Sequence, residues 1–175
     1  MAAYGNPNAE PMQEVWIKPR ANFMKCNIDA SFCLTHNMVG IGILIRDDHG
    51  HFVQAKTIQF TPLLQVPEGK AKGLLHAINW VIELGMVNVV FELDDETVID
   101  AFNHPKVDTS DFGSIIYHCR NLIDQSLPNS TVVFTRRKAN RAAGVLASVA
   151  LDMVCDQVFH HVPLCISSII FNEMA

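Results

Sequence analysis

From residue 23 the chain alternates with a period of two. Met24, Cys26 and Ile28 fall on one side and Lys25, Asn27 and Asp29 on the other. That period predicts a strand over Phe23–Ala30. Val39–Arg46 (VGIGILIR) is a β-branched run and predicts a second strand. Asp47-Asp48-His49-Gly50 carries turn chemistry, and His51–Phe60 alternates again through Phe52, Ala55 and Ile58. Three consecutive strands with short connections predict an antiparallel meander. The period then changes. Pro67 opens a helix in which Leu74, Ala77, Ile78, Val81 and Ile82 recur at helical spacing, and Gly85 closes it. Val87–Leu93 (VNVVFEL) predicts a buried strand, and Glu96–Phe102 a short helix stopped by His104-Pro105. Phe112–Leu127 predicts a third helix, with Ile115, Ile116, Cys119, Leu122 and Ile123 on its apolar stripe. Thr131–Thr135 predicts a fifth strand, and Ala139 to Val158 an Ala-rich helix. After Pro163, CISSIIFNEM forms a short tail element.

The order β-β-β-α-β-α-α-β-α predicts an α/β fold. Its five-stranded mixed sheet is antiparallel in the meander and parallel beyond it, with helices on both faces. Residues 1–15 are polar and rich in Pro and Asn, and read as a disordered lead-in. Residues 16–160 then hold the domain, and 161–175 a short C-terminal helical tail. A chain of 175 residues with 49% hydrophobic content suits one globular domain and excludes wholesale disorder. Thirteen basic against 18 acidic residues leave a net charge of −5. Any nucleic-acid contact must therefore come from a local patch or through metal ions. No apolar run is long enough to span a membrane, and the N-terminus lacks the pattern of a signal peptide. The five cysteines include no CxxC pair, so reduced, buried thiols in an intracellular compartment, nucleus or cytoplasm, are expected. The eight histidines show no zinc-ligand spacing, and no zinc site is expected.

Two carboxylates stand out. Asp29 lies inside a strand, where Asp is depleted. Asp94 lies at the carboxyl end of the fourth strand, where ligand sites of open α/β sheets form. From neighbouring strands the two could share a hard cation such as Mg²⁺. The plainer alternative makes each a turn residue or helix cap. Arg136, Arg137, Lys138 and Arg141 form the one basic cluster. It suits phosphate contact, or else a solvated basic turn. Trp16, Trp80, Phe52 and Phe91 sit in apolar runs and read as packing residues.

Trp16-xx-Pro19, KCNIDASF, GIGILIRDDHG, ELGMVNVVFELDDETVIDAF and FTRRKANRAAGVLA follow one another in order. Together with the PLCISSIIFNEM ending, this series resembles the plant retroelement-type ribonuclease H domain. That module is found in non-LTR reverse transcriptases and as free-standing plant genes. The resemblance covers residues 16–175. It implies the ribonuclease H-like fold and two-metal hydrolysis of the RNA strand of an RNA–DNA hybrid. In that reaction carboxylates hold Mg²⁺ ions that activate water and stabilise the leaving oxygen. The implied partner is an RNA–DNA hybrid or other nucleic acid, with no membrane and with the chain as a monomer.

Carried over by residue, the first catalytic and metal-binding carboxylate is Asp29 and the third is Asp94. The second belongs seven residues before the Ala77-Ile78 pair, and there the chain has Lys70. Glu68 lies two residues away, a rotation of about 200° on a helix. Lys70 instead shares the stripe of Leu74, Ile78 and Val81. The fourth carboxylate belongs four residues after Asn140, where the chain has Gly144. Arg137 and Asn140 match the family's Arg-xx-Asn positions, and with Arg136 and Lys138 they are the expected nucleic-acid contacts. The reading is a ribonuclease H-type domain whose hydrolysis is weakened or absent. The alternatives are cleavage with Asp29, Asp94 and one metal, and a domesticated interaction domain that binds no nucleic acid.

Overall fold

The computed structural model describes residues 14–175. Apart from Glu14 and Val15, the lead-in expected over 1–15 lies outside the described residues. Three strands form the meander: β1 (Met24–Cys33), β2 (Met38–Arg46) and β3 (Phe52–Phe60), each antiparallel to the next. Helix α1 (Val66–Glu83) follows, with Pro67 in its first turn and Gly85, at φ +70°, just beyond its end. Strand β4 (Val89–Leu93) returns parallel to β1, pairing Met24 with Val89 and Asn27 with Glu92. Helices α2 (Glu96–Asn103) and α3 (Asp111–Ser126) lead to β5 (Thr131–Phe134), parallel to β4. A 3₁₀ turn (Arg137–Asn140) runs into α4 (Arg141–Ala150).

The Ala-rich helix ends at Ala150, not near Val158. The chain turns there and lays a short strand, β6 (Gln157–Phe159), antiparallel on the free edge of β3. The sheet therefore has six strands rather than five, ordered β5-β4-β1-β2-β3-β6. Polar groups on β3 hold this return. Gln59 donates its backbone N–H to Asp156 and its side-chain amide to the Met153 carbonyl. An open strand edge is thereby paired. Helix α5 (Leu164–Met174) closes the chain.

Strand alternation divides the apolar residues between two faces. Cys26 and Ile28 of β1 and Ile41, Ile43 and Ile45 of β2 pack with α1 and α3 into the main core. On the other face Leu44 and Ala55 meet Ala142 and Leu146 of α4 and Ile166, Ile169 and Ile170 of α5. Trp16, Trp80 and Phe91 are buried, as expected of packing residues. Only Cys26 and Cys119 among the five thiols are buried; Cys33 is half-buried, and Cys155 and Cys165 are exposed. Burial pushes the Cys119 thiol up to about 12.

Gly42 sets how closely α4 approaches the sheet. It pairs with Asp29 across β1 and β2. A Cβ at Gly42 would overlap the carbonyl of Ala143, so its absence lets the backbone of α4 lie against the strands. That close approach carries Gly144 to Asp29.

Candidate active site and the ammonium within it

Asp29 is held on β1, and its Oδ1 accepts the backbone N–H of Ala30 at 2.8 Å. Asp94 follows the last residue of β4. It is not the cap of α2: Asp95 takes that role, accepting the Val98 N–H at 3.0 Å. Asp94 is thus left to face Asp29. Lys70, in the second turn of α1, points inward on the stripe shared with Leu74 and Ile78 and is only 7% exposed. Its Nζ lies 2.5 Å from Oδ1 of Asp94 and 3.2 Å from Oδ1 of Asp29. Lys70, rather than Glu68, is the α1 residue whose charged group meets both aspartates. From α4, a Cβ on Gly144 would stand 3.0 Å from Oδ2 of Asp29. The four positions singled out in the sequence therefore converge, as two carboxylates, an ammonium and a glycine.

The electrostatics follow from this packing. Burial raises the Asp29 carboxyl above the ordinary aspartate value; Lys70 pulls it down, while the charge of Asp94 adds to the rise. Burial works against the Lys70 ammonium, but the two carboxylates outweigh it and hold it above the ordinary lysine value. The residues do not fit the pair of divalent ions that the sequence resemblance implies. A fixed cation already bridges the two carboxylates, and the other two positions offer no anionic ligand.

Arg137 reaches the rim, its Nε 3.5 Å from Oδ2 of Asp94 with the side chain 89% exposed. Arg136 and Lys138 flank it, each 3.5 Å from the Glu14 carboxylate. Together with Phe134 these residues line a depression beside Asp94. Asn140 is placed differently from its neighbours. It is buried, donating to the Ile28 carbonyl at 2.9 Å and accepting from Asn27 at 3.1 Å. Its side chain ties the 3₁₀ turn to β1, next to Asp29, and has no part in the exposed basic rim.

Behind the site lies a buried polar network that the sequence pattern did not lead us to expect. Asn27 donates to Glu92 at 2.9 Å and accepts from the Trp16 indole at 2.9 Å. Lys25 pairs with Glu92 at 2.7 Å. Arg46 stacks 3.5 Å over Trp16 and pairs with Glu173 of α5 at 2.5 Å. Two cations and two anions balance, so a charged sheet face is buried without net charge. The signal available was a glutamate inside the apolar run of β4, opposite the polar side of β1.

Comparison with known proteins bears on this arrangement. No curated protein matches the chain in sequence. Ribonuclease H1 of the archaeon Halobacterium salinarum superposes with a TM-score of 0.67 at 16% identity, covering 74% of this chain and 98% of its own. A ribonuclease H1 isolated from compost, solved with an RNA/DNA hybrid, gives 0.66 at 18% identity, covering 74% and 96%. The protease–reverse transcriptase of prototype foamy virus gives 0.57 at 11% identity over 75% of this chain and 21% of its own. These likenesses show the ribonuclease H-like fold. The reverse transcriptase-like family model matches residues 27–150 and takes in Asp29, Lys70, Asp94 and Gly144, and the chain belongs to that family.

Proposed function

We propose that this protein is a ribonuclease H-type domain of the plant retroelement kind that binds RNA–DNA hybrids, with phosphodiester hydrolysis suppressed. One observation carries the reading: Lys70 Nζ stands between Asp29 and Asp94 at 3.2 and 2.5 Å. An ammonium there supplies one positive charge where the two-metal reaction needs two divalent ions. It activates no water and leaves no open coordination position. The motif order in the sequence supports the retroelement placement. The exposed Arg136, Arg137 and Lys138 beside Asp94 support phosphate contact, because backbone charge dominates affinity for nucleic acid.

The chain's own residues then act by binding. Arg137 is close enough to Asp94 to be held near the site and exposed enough to reach a phosphate. Asn140 positions the turn that presents it. One observation favours a second reading, a protein-interaction domain: Glu14 already lies against Arg136 and Lys138.

A labelled RNA–DNA hybrid tests the proposal with Mg²⁺ and with Mn²⁺. Salt-dependent binding is expected, weakened by Arg136→Glu with Lys138→Glu, with no cleavage above the protein-free control. Strong metal-dependent cleavage that Asp94→Asn abolishes would overturn suppressed hydrolysis. Absence of salt-dependent binding would overturn the nucleic-acid reading in favour of the interaction domain.

A further inference from the structure

The geometry points to a zinc-binding site at the turn between β2 and β3, formed by Asp47, His49 and His51. It lies outside the aspartate–lysine site and rests on different residues. One ligand atom from each of the three lies within 4.8 Å of the others. Nδ1 of His51 is 3.3 Å from Oδ2 of Asp47. That matches the separation of about 3.4 Å between ligand atoms around a tetrahedral zinc with bonds of about 2.0–2.2 Å.

The turn assigns each atom a task. Oδ1 of Asp47 accepts the backbone N–H groups of His49 at 2.9 Å and His51 at 2.8 Å. This fixes the carboxylate and leaves Oδ2 as the ligand oxygen. His49 holds Asp48 through Nδ1 at 2.8 Å, so Nε2 is the ring nitrogen left for a metal. A carboxylate on the far nitrogen sets the tautomer and raises the basicity of a metal-binding imidazole. Asp48 is itself anchored, its Oδ2 accepting the Asn22 N–H at 2.6 Å. Gly50, at φ +91°, bends the chain so that both rings lie on one side, parallel within 8° and 5.7 Å apart. The His49 side chain is 73% exposed, so its ring has room to close the remaining distance.

Two imidazoles and one carboxylate suit Zn²⁺ and not Mg²⁺, which prefers oxygen ligands. Three protein ligands leave a fourth position open at the surface, for water or for a side chain of a bound partner. The sequence expectation of no zinc site came from the absence of familiar spacings. The ligands recur instead at Asp-x-His-x-His, a period of two that a tight turn gathers onto one side.

Calorimetric titration with zinc chloride at neutral pH tests the site on the full chain. One saturable equivalent is expected in the wild type and in Cys33→Ser, which removes a separate thiol–imidazole contact, Cys33 Sγ to His36 Nδ1 at 3.2 Å. Saturable binding should be lost in His49→Ala and His51→Ala, and weakened about 10- to 100-fold in Asp48→Asn, the usual range for loss of such a supporting carboxylate. Asp48, His49 and His51 lie in the exposed connection between β2 and β3 and Cys33 ends β1, and unchanged circular dichroism verifies folding. No saturable binding by the wild type, or binding by His49→Ala and His51→Ala equal to wild type, would overturn the assignment. Loss in Cys33→Ser with retention in His51→Ala would likewise place the ion elsewhere.

Discussion

The Lys70 ammonium sits 2.5 Å from Asp94, closer than to Asp29, and so ties the first helix to the end of the fourth strand across the edge of the sheet. Removing it leaves two largely buried carboxylates facing each other with no cation between them, since Arg137 meets only the outer oxygen of Asp94. Breaking a buried pair from one side is costly because the partner charge stays buried. Lys70→Met should therefore lose about 3 kcal/mol of stability at neutral pH, by urea denaturation. Adding Mg²⁺ should restore part of that loss in the variant and do little for the wild type. The Lys70 value is raised, so its stabilisation is full below pH 10.5 and fades only as pH climbs beyond it. Unchanged stability with no Mg²⁺ response would mean that the ammonium supports nothing.

Asp29 makes the opposite contribution. Its carboxyl is raised above the ordinary value of 3.8, so the folded state holds this proton to higher pH than the unfolded chain does. Stability from this group is present below pH 3.8 and falls as pH rises through the folded value. Asp29→Asn keeps an oxygen for Lys70 and the Ala30 N–H but has no charge to desolvate. The variant should be more stable than wild type at pH 7, and the difference should shrink as pH is lowered toward 4. Denaturation midpoints across that range measure it; a difference that grows at low pH would reverse the sign of the argument.

The four positions Asp29, Lys70, Asp94 and Gly144 were legible through the family resemblance, and periodicity added that Lys70 points inward. A residue on the Leu74–Ile78–Val81 stripe must face the sheet, whatever its chemistry. The meander was legible for the same reason. What escaped depended on tertiary contact. The strand Gln157–Phe159 has three residues and exists through the free edge of β3, so no local period marks it. Asn140 is expected at the start of the last helix as a nucleic-acid contact, yet the carbonyl of Ile28 and the amide of Asn27 draw its side chain inside. The polar side of β1 reads as solvent-facing until α4, α5 and Trp16 cover it.

Cys33 offers a separate test. Hydrogen bonds from Thr35 and then His36, each 3.2 Å from the sulfur, bring its thiol down to about 7. The thiolate is the nucleophile, so a lowered value means faster alkylation at neutral pH. Iodoacetamide should label Cys33 ahead of Cys119, whose thiol is held at about 12 by burial. The labelling rate should rise through an apparent pKa near 7 and shift to higher pH in Thr35→Val and in His36→Ala. Peptide mapping by mass spectrometry reads this directly. Equal labelling of the buried thiols would show that local opening, not the Thr35 and His36 contacts, controls access.

Gly144 and Lys70 can be changed together to rebuild a four-carboxylate site. Gly144→Asp alone would bring a third carboxylate against Asp29, because its Cβ alone would stand 3.0 Å from Oδ2. With one ammonium to balance three anions, that variant should be less stable than wild type. Adding Lys70→Glu removes the ammonium and leaves four carboxylates, which repel until divalent cations neutralise them. The double variant should therefore be unstable in chelator and strongly stabilised by Mg²⁺, with a midpoint that rises with metal concentration. The same variant should cleave a labelled hybrid faster than the wild type, and Asp94→Asn in that background should abolish the gain. Metal-dependent stabilisation without cleavage would place the remaining defect in how the hybrid is held, at Arg136, Arg137 and Lys138. A double variant indifferent to Mg²⁺ in both stability and cleavage would show that Lys70 and Gly144 are not what keeps this site from its family's chemistry.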